Sequence, residues 1–281
     1  MLSILLPTDF SENAMNAIKY ALEFFKYQHT EFYFMHAYQN EFYNHKDLKS
    51  REVFGDVLMT VRNESQANLE NLLQEVKDIS HNPRYTYHTI SANNNLVEEA
   101  QLTAIAKNID LIVMGTKGVS NDRDIEFGSQ TLAVLKYVKC PVLAIPALYS
   151  NTQPKHILFP TNYLVPYKRR ELKLLSVLAK SYRSSIDVLY VSNSEQLSIR
   201  QEDNKVFLAL TLQENKVNFL HESSDNVAST IKNYIKEKNI DVITMVNTQH
   251  SFLETLLFPS TIDAVSLGLQ IPLLAMQNIT R

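Results

Sequence analysis

One pattern occurs twice in this chain, and that limits the possible folds more than anything else in it. Asn108-Ile-Asp-Leu-Ile-Val-Met114 returns as Asn239-Ile-Asp-Val-Ile-Thr-Met245, and Cys140-Pro-Val-Leu-Ala-Ile145 returns as Ile271-Pro-Leu-Leu-Ala-Met276. From Asp110/Asp241 to Pro141/Pro272 the copies stay 131 residues apart without a gap. Earlier in the chain, Ile4-Leu-Leu-Pro-Thr-Asp9 returns as Ile157-Leu-Phe-Pro-Thr-Asn162, and segment 32–37 is answered by Ile186-Asp-Val-Leu-Tyr-Val191. A polar stretch with a proline, Tyr149-Ser-Asn-Thr-Gln-Pro-Lys155, separates the copies. The chain of 281 residues therefore reads as two tandem copies of one unit, with domains expected at 1–149 and 155–281.

Hydrophobic periodicity supplies the elements of the unit. Ser3-Ile-Leu-Leu-Pro-Thr8 is a short apolar run stopped by proline, which predicts a buried strand. Ser11 is a candidate N-cap for a helix over 12–28, where Ala14, Ala17, Ile18, Ala21, Leu22 and Phe25 recur at helical spacing. Glu31-Phe-Tyr-Phe-Met-His-Ala-Tyr38 is aromatic-rich and strand-like. The polar segment 44–80 carries a helical pattern through Val57, Leu58, Val61, Leu69, Leu72, Leu73 and Val76, broken by Pro83. Arg84-Tyr-Thr-Tyr-His-Thr-Ile90 alternates as a strand. Asn95, with Glu98 three residues on, predicts a helix start. Strands over 110–114 and 141–146 flank a helix over 128–138.

Strands that alternate with helices predict an α/β, doubly wound, Rossmann-like domain, a parallel sheet with helices on both faces. Its fully buried strands should be apolar throughout, as 110–114 is after Asp110. Ligands of such sheets bind beyond the carboxyl ends of the strands. The second copy is shorter between its second and third strands, where the long helix of the first is cut down.

At those strand ends the chain concentrates its few glycines. Of five in all, Gly115, Gly118 and Gly128 lie between the apolar strand and the helix, with Ser129 directly after. Glycine lets backbone N–H groups approach an anion without a Cβ in the way, and a helix N-terminus presents unpaired donors and a positive dipole end. The second copy has Val246, Gln249 and Pro259 at those three positions, keeps only Ser260, and has Asn162 in place of Asp9. The repeat thus retains the scaffold and loses the cradle.

The spacing Gly-x2-Gly-x9-Gly-Ser behind a Met-Gly strand end, with Leu-Pro-Thr-Asp near the N-terminus and a Phe-Met-His-Ala second strand, closely resembles the universal stress protein family. The resemblance spans the whole chain as a tandem of two such domains. It implies a five-stranded parallel sheet of order 3-2-1-4-5 in each. It implies ATP, ADP or AMP in the first domain, with adenine against Thr8, Asp9 and Ala37 and with Pro7 also in the nucleotide site. Ribose and phosphates would be held by Met114, Gly115, Lys117, Gly118, Gly128, Ser129 and Gln130. Ala37 stands where the family has a larger aliphatic residue. Asp122, Asp124 and Glu126 in the loop are candidate Mg²⁺ ligands beside the phosphates. The resemblance further implies antiparallel pairing of fifth strands, here 141–146 with 271–276, as an intramolecular pseudo-dimer. It leaves a higher homo-oligomer open.

The remaining chemistry is sparse. There is no P-loop Gly-Lys-Ser/Thr, and the eight histidines show no zinc-ligand spacing, so no catalytic or metal residue is expected and activity is at most that of a weak ATPase. His36 reads as a satisfied core histidine. The single cysteine, Cys140, excludes an internal disulfide and fits a reducing, cytoplasmic compartment. A net charge of -3 points away from nucleic acid and anionic membranes. No segment approaches the roughly 20 apolar residues of a membrane helix. A regulatory or stress-response nucleotide-binding protein is the leading expectation. A slow ATPase and a protein-interaction module without nucleotide are its alternatives.

Overall fold

The computed structural model describes residues 1–117, 127–165, 167–247 and 269–277. The chain divides into two compact units, Met1–Cys140 and Pro141–Arg281.

In the first unit, strands β1 (Leu2–Pro7), β2 (Thr30–Ala37), β3 (Tyr85–Ala92) and β4 (Leu111–Gly115) form a parallel sheet in the order β3-β2-β1-β4. Its helices are α1 (Glu12–Phe24), α2 (Gln39–Tyr43), α3 (Phe54–Ile79), α4 (Leu96–Ala106) and α5 (Ser129–Tyr137). The two inner strands are apolar on both faces. Ile4, Leu5 and Leu6 of β1 and Ile112 and Val113 of β4 have no exposed surface. Two predicted caps form. Ser11 Oγ accepts the Ala14 N–H at 3.2 Å, and Asn95 Oδ1 accepts the Glu98 N–H at 2.9 Å. Each such cap contributes about 1 kcal/mol to its helix. The pattern read in 44–80 becomes α3, whose Val57, Val61, Leu69, Leu72 and Val76 are buried.

The second unit holds β5 (Val142–Ile145), β6 (His156–Pro160), α6 (Arg169–Tyr182), β7 (Ser185–Val191), α7 (Ile199–Thr211), β8 (Lys216–Glu222), α8 (Val227–Glu237), β9 (Val242–Asn247) and β10 (Leu273–Gln277). Five parallel strands run β8-β7-β6-β9-β10, the order 3-2-1-4-5. β5, which ends the first copy in sequence, packs as part of this unit. It pairs antiparallel with β10, with Ala144 opposite Leu273. An exposed apolar edge at β10 is thereby covered.

The repeat extends to backbone conformations that the sequence pattern does not announce. Phe10 and Tyr163 are both left-handed, at φ 59° and 57°, and so are Asn108 and Asn239, both at φ 50°. Bulky residues rarely adopt this region. Each aromatic is held there by the threonine two residues before it: Thr8 Oγ1 accepts the Phe10 N–H at 2.9 Å, and Thr161 Oγ1 accepts the Tyr163 N–H at 2.9 Å. Asp110 Oδ2 accepts the Ser3 N–H at 3.0 Å, and Asp241 Oδ2 accepts the His156 N–H at 2.9 Å.

Candidate functional site

The predicted site residues come from the ends of three neighbouring strands. Pro7 of β1 lies level with Met35 of β2, and Ile4 and Leu5 pair with Leu111 and Ile112 of β4. Carried two residues further, that register sets Pro7 level with Met114. Thr8 and Asp9 follow β1, Ala37 ends β2, and Met114 and Gly115 end β4, all at the carboxyl edge of the parallel sheet. This is where an α/β sheet offers a crevice.

The start of α5 is tied to the same edge. Gly128 donates its N–H to the Thr116 carbonyl at 2.7 Å, and the buried Thr131 hydroxyl donates to the Gly115 carbonyl at 2.9 Å. Gly128 is the N-cap and, as a glycine, supplies no side-chain cap, while Ser129 and Gln130 are exposed. An N-terminus without a side-chain cap, fixed beside the strand ends, presents N–H donors and a positive partial charge to that edge. Lys117 is half-buried on the strand side of the loop. Gly118 and the acidic candidates Asp122, Asp124 and Glu126 lie outside the described residues. Among the described residues no three His, Cys, Asp or Glu side chains gather as a metal site. Thr116 and Thr131 are the residues that sequence reasoning missed. Their role rests on side-chain and carbonyl geometry that spacing alone does not reveal.

Two predicted site residues have structural duties of their own. Asp9 Oδ1 accepts the Ser11 N–H at 3.1 Å and the Ser11 hydroxyl at 2.6 Å, which sets the turn into α1. Asn162 does the same for the second copy, accepting the Leu164 N–H at 2.9 Å. The turn needs a side-chain oxygen, and only the charge separates the two copies. A Cβ on Gly115 would lie 3.0 Å from the Asn13 carbonyl oxygen and 3.2 Å from that of Lys117. Glycine is therefore required there for close packing against the first turn of α1. In the second copy α6 begins only at Arg169, whereas the position matching Glu12 is Val165. That helical turn has no counterpart, and Val246, buried, stands where the glycine was. Loss of this glycine follows the loss of a helical turn, so it says less about a ligand than the sequence comparison suggests.

His36 is a satisfied core histidine. Nδ1 lies 2.9 Å from the Ser65 hydroxyl, which lies 2.7 Å from that of Ser91, and Nε2 lies 2.8 Å from Glu41 Oε1. The Phe10 ring packs edge-on against it at 4.6 Å. Cys140 is buried, as its apolar setting predicts.

A tandem of parallel α/β units with helices between the strands defines a Rossmann-like class of protein. The universal stress protein family model matches residues 1–146 and again 155–277, so the chain belongs to that family. Universal stress protein MJ0577 of Methanocaldococcus jannaschii is 29% identical over 154 residues, half of this chain and 93% of that protein. The crystal structure of a universal stress protein from Archaeoglobus fulgidus superposes with a TM-score of 0.70, at 20% identity over 98% of both chains. A putative universal stress protein from Pseudomonas aeruginosa does so with a TM-score of 0.57, at 11% identity over 98% of this chain and 92% of that one. The two structural likenesses show the fold. No described helix is long and apolar enough to cross a membrane.

Proposed function

We propose that the first copy binds one adenine nucleotide and that the protein acts as a stress-response or regulatory nucleotide binder, with domains at 1–149 and 155–281. The observation that carries this is the joining of α5 to the strand edge through the Thr116–Gly128 hydrogen bond. It ties the start of α5 to the end of β4, on the carboxyl edge to which Thr8, Asp9 and Ala37 also belong. Adenine would rest against Pro7, Thr8, Asp9 and Ala37. The phosphates would meet Gly118, Gly128, Ser129, Gln130 and the Lys117 ammonium, with Mg²⁺ from solution held by the loop acids. In the second copy the equivalent edge has Asn162 and Val246, and we infer that it stays empty. One buried cysteine and a reducing cytoplasm are compatible.

Calorimetric titration of ATP, ADP and AMP into the full chain, with and without Mg²⁺, tests the reading. One nucleotide per chain is expected. Ser129→Asp suits the first turn of a helix, so the fold should hold, yet it sets a carboxylate against the phosphates. It should weaken ATP at least about tenfold, the effect of roughly 1.4 kcal/mol. Absence of binding, two nucleotides per chain, or an unchanged affinity in Ser129→Asp would each overturn the proposal. Phosphate release in the same samples tells binding from hydrolysis.

A further inference from the structure

The second unit contains a cavity of about 200 Å³. In the sheet, Tyr190 pairs with His221 and Val188 with Phe219, so Tyr190, His221 and Phe219 lie on one face. Tyr163, from the turn after β6, Lys205, from α7, and Leu197 also line it. At the matching place in the first unit, His36 is level with Ser91 and the two are bridged by Ser65 of α3. That helix has 26 residues, whereas α7 has 13 and begins only at Ile199. The shorter helix carries no serine bridge across the sheet face, and aromatic rings surround the space instead. The Tyr163 and Tyr190 centroids are 5.5 Å apart, and those of Tyr190 and His221 5.6 Å.

Two groups at this cavity lack an expected partner. Tyr163 is 1% exposed, and among the described residues its hydroxyl has no hydrogen-bond partner, its recorded bonds being those of the backbone. The Lys205 ammonium stands 5.8 Å from the Phe219 ring centroid and has no carboxylate in ion-pair reach among the described residues. Glu195, the one carboxylate in the lining, is 85% exposed and lies 3.4 Å from His221 Nδ1. A hydroxyl and an ammonium without protein partners are each available to a ligand in the cavity. A cavity of about 150 Å³ holds a benzene ring, so this one has room for a ring and one small polar group.

We propose that the cavity is a binding site for a small aromatic carboxylate. The ring lies among Tyr163, Tyr190 and Phe219, in offset or edge contact. The carboxylate pairs with the Lys205 ammonium and accepts a hydrogen bond from the Tyr163 hydroxyl. The site lies on a sheet face beside α7, bordered by the turns that follow β6 and β7 in the second unit, and it is independent of the nucleotide reading above.

The test uses the full chain and three probes of one size: benzoate, benzyl alcohol and benzylamine. Calorimetry and ligand-observed NMR should find benzoate saturable at one per chain and benzylamine without saturable binding. Lys205→Met should weaken benzoate at least about tenfold while leaving the weaker benzyl alcohol binding unchanged, as loss of one charge-assisted contact predicts. Lys205→Arg should retain benzoate. Tyr163→Phe, which keeps the ring, should weaken benzoate several-fold, with far-UV circular dichroism confirming that each variant is folded. Benzoate that fails to saturate the wild type, equal binding of benzylamine, or an unchanged affinity in Lys205→Met would refute the site. Saturating benzoate should leave ATP affinity as it was, so failure of either proposal is seen separately.

Discussion

Glu171 offers a sharp test of how burial works in the second copy. It occupies the third position of α6, where the first copy has Ile18, which is 1% exposed, and it is itself only 7% exposed. Its Oε2 is buried without a hydrogen-bond partner. Burial pushes its carboxyl up to about 7, against the opposing pull of the Lys168 charge, the Lys168 backbone N–H and the Arg170 charge. In the unfolded chain the group returns to 4.5. Between those values the folded protein holds a proton that the unfolded chain has released, so stability falls as pH rises. The penalty is absent below pH about 4.5, grows up to about 7, and is constant above. At about 1.36 kcal/mol for each pH unit, its ceiling is about 3 kcal/mol. Glu171→Gln removes the titration while keeping shape and an acceptor for the Lys168 N–H. Urea unfolding of wild type and variant should therefore diverge with pH, the variant gaining up to about 3 kcal/mol over wild type between pH 4 and pH 8. A difference that stays constant across that range would refute the reasoning, as would a Glu171 carboxyl titrating near 4.5 by carbon-13 NMR.

Two other substitutions follow from the same packing arguments. Gly115→Ala sets a methyl 3.0 Å from the Asn13 carbonyl, which belongs to the backbone and cannot swing away, and should cost about 1–3 kcal/mol in chemical denaturation. Gly55→Ala, with nothing within 4 Å of its added Cβ in α3, should instead stabilise by up to about 1 kcal/mol. Ser65→Ala removes the bridge between His36 and Ser91 and should cost about 1–3 kcal/mol, seen as a lower thermal midpoint.

Strand and helix identities were legible because each depends on periodicity and caps within a few residues. The apolar runs of β1 and β4 could only be buried strands, and Ser11 and Asn95 act as the caps their positions imply. The location of the candidate site was legible for a related reason. In a parallel sheet the carboxyl ends of the strands share one edge, so Asp9, Ala37 and Gly115 were bound to meet there. The meaning of individual site residues was not. Gly115 looked like part of a cradle, yet its nearest neighbour is the Asn13 carbonyl. Asp9 looked like a ligand group, yet its Oδ1 holds a turn that Asn162 holds equally well.

The sequence alone determined that this chain is one α/β unit twice over, because a gap-free repeat with alternating strand and helix patterns admits no other architecture. It also determined that the copies differ at Gly115, Gly118, Gly128 and Asp9. Tertiary structure decided what the difference at Gly115 is for. The start of α6 a turn later explains Val246, the packing of β5 with β10 sets its membership in the second unit, and the shorter α7 leaves the aromatic cavity beside Tyr163. The physical reason is one of range. Periodicity and capping act over a few residues, whereas a close approach, the lining of a cavity or the burial of a carboxyl group depends on atoms far apart in the chain.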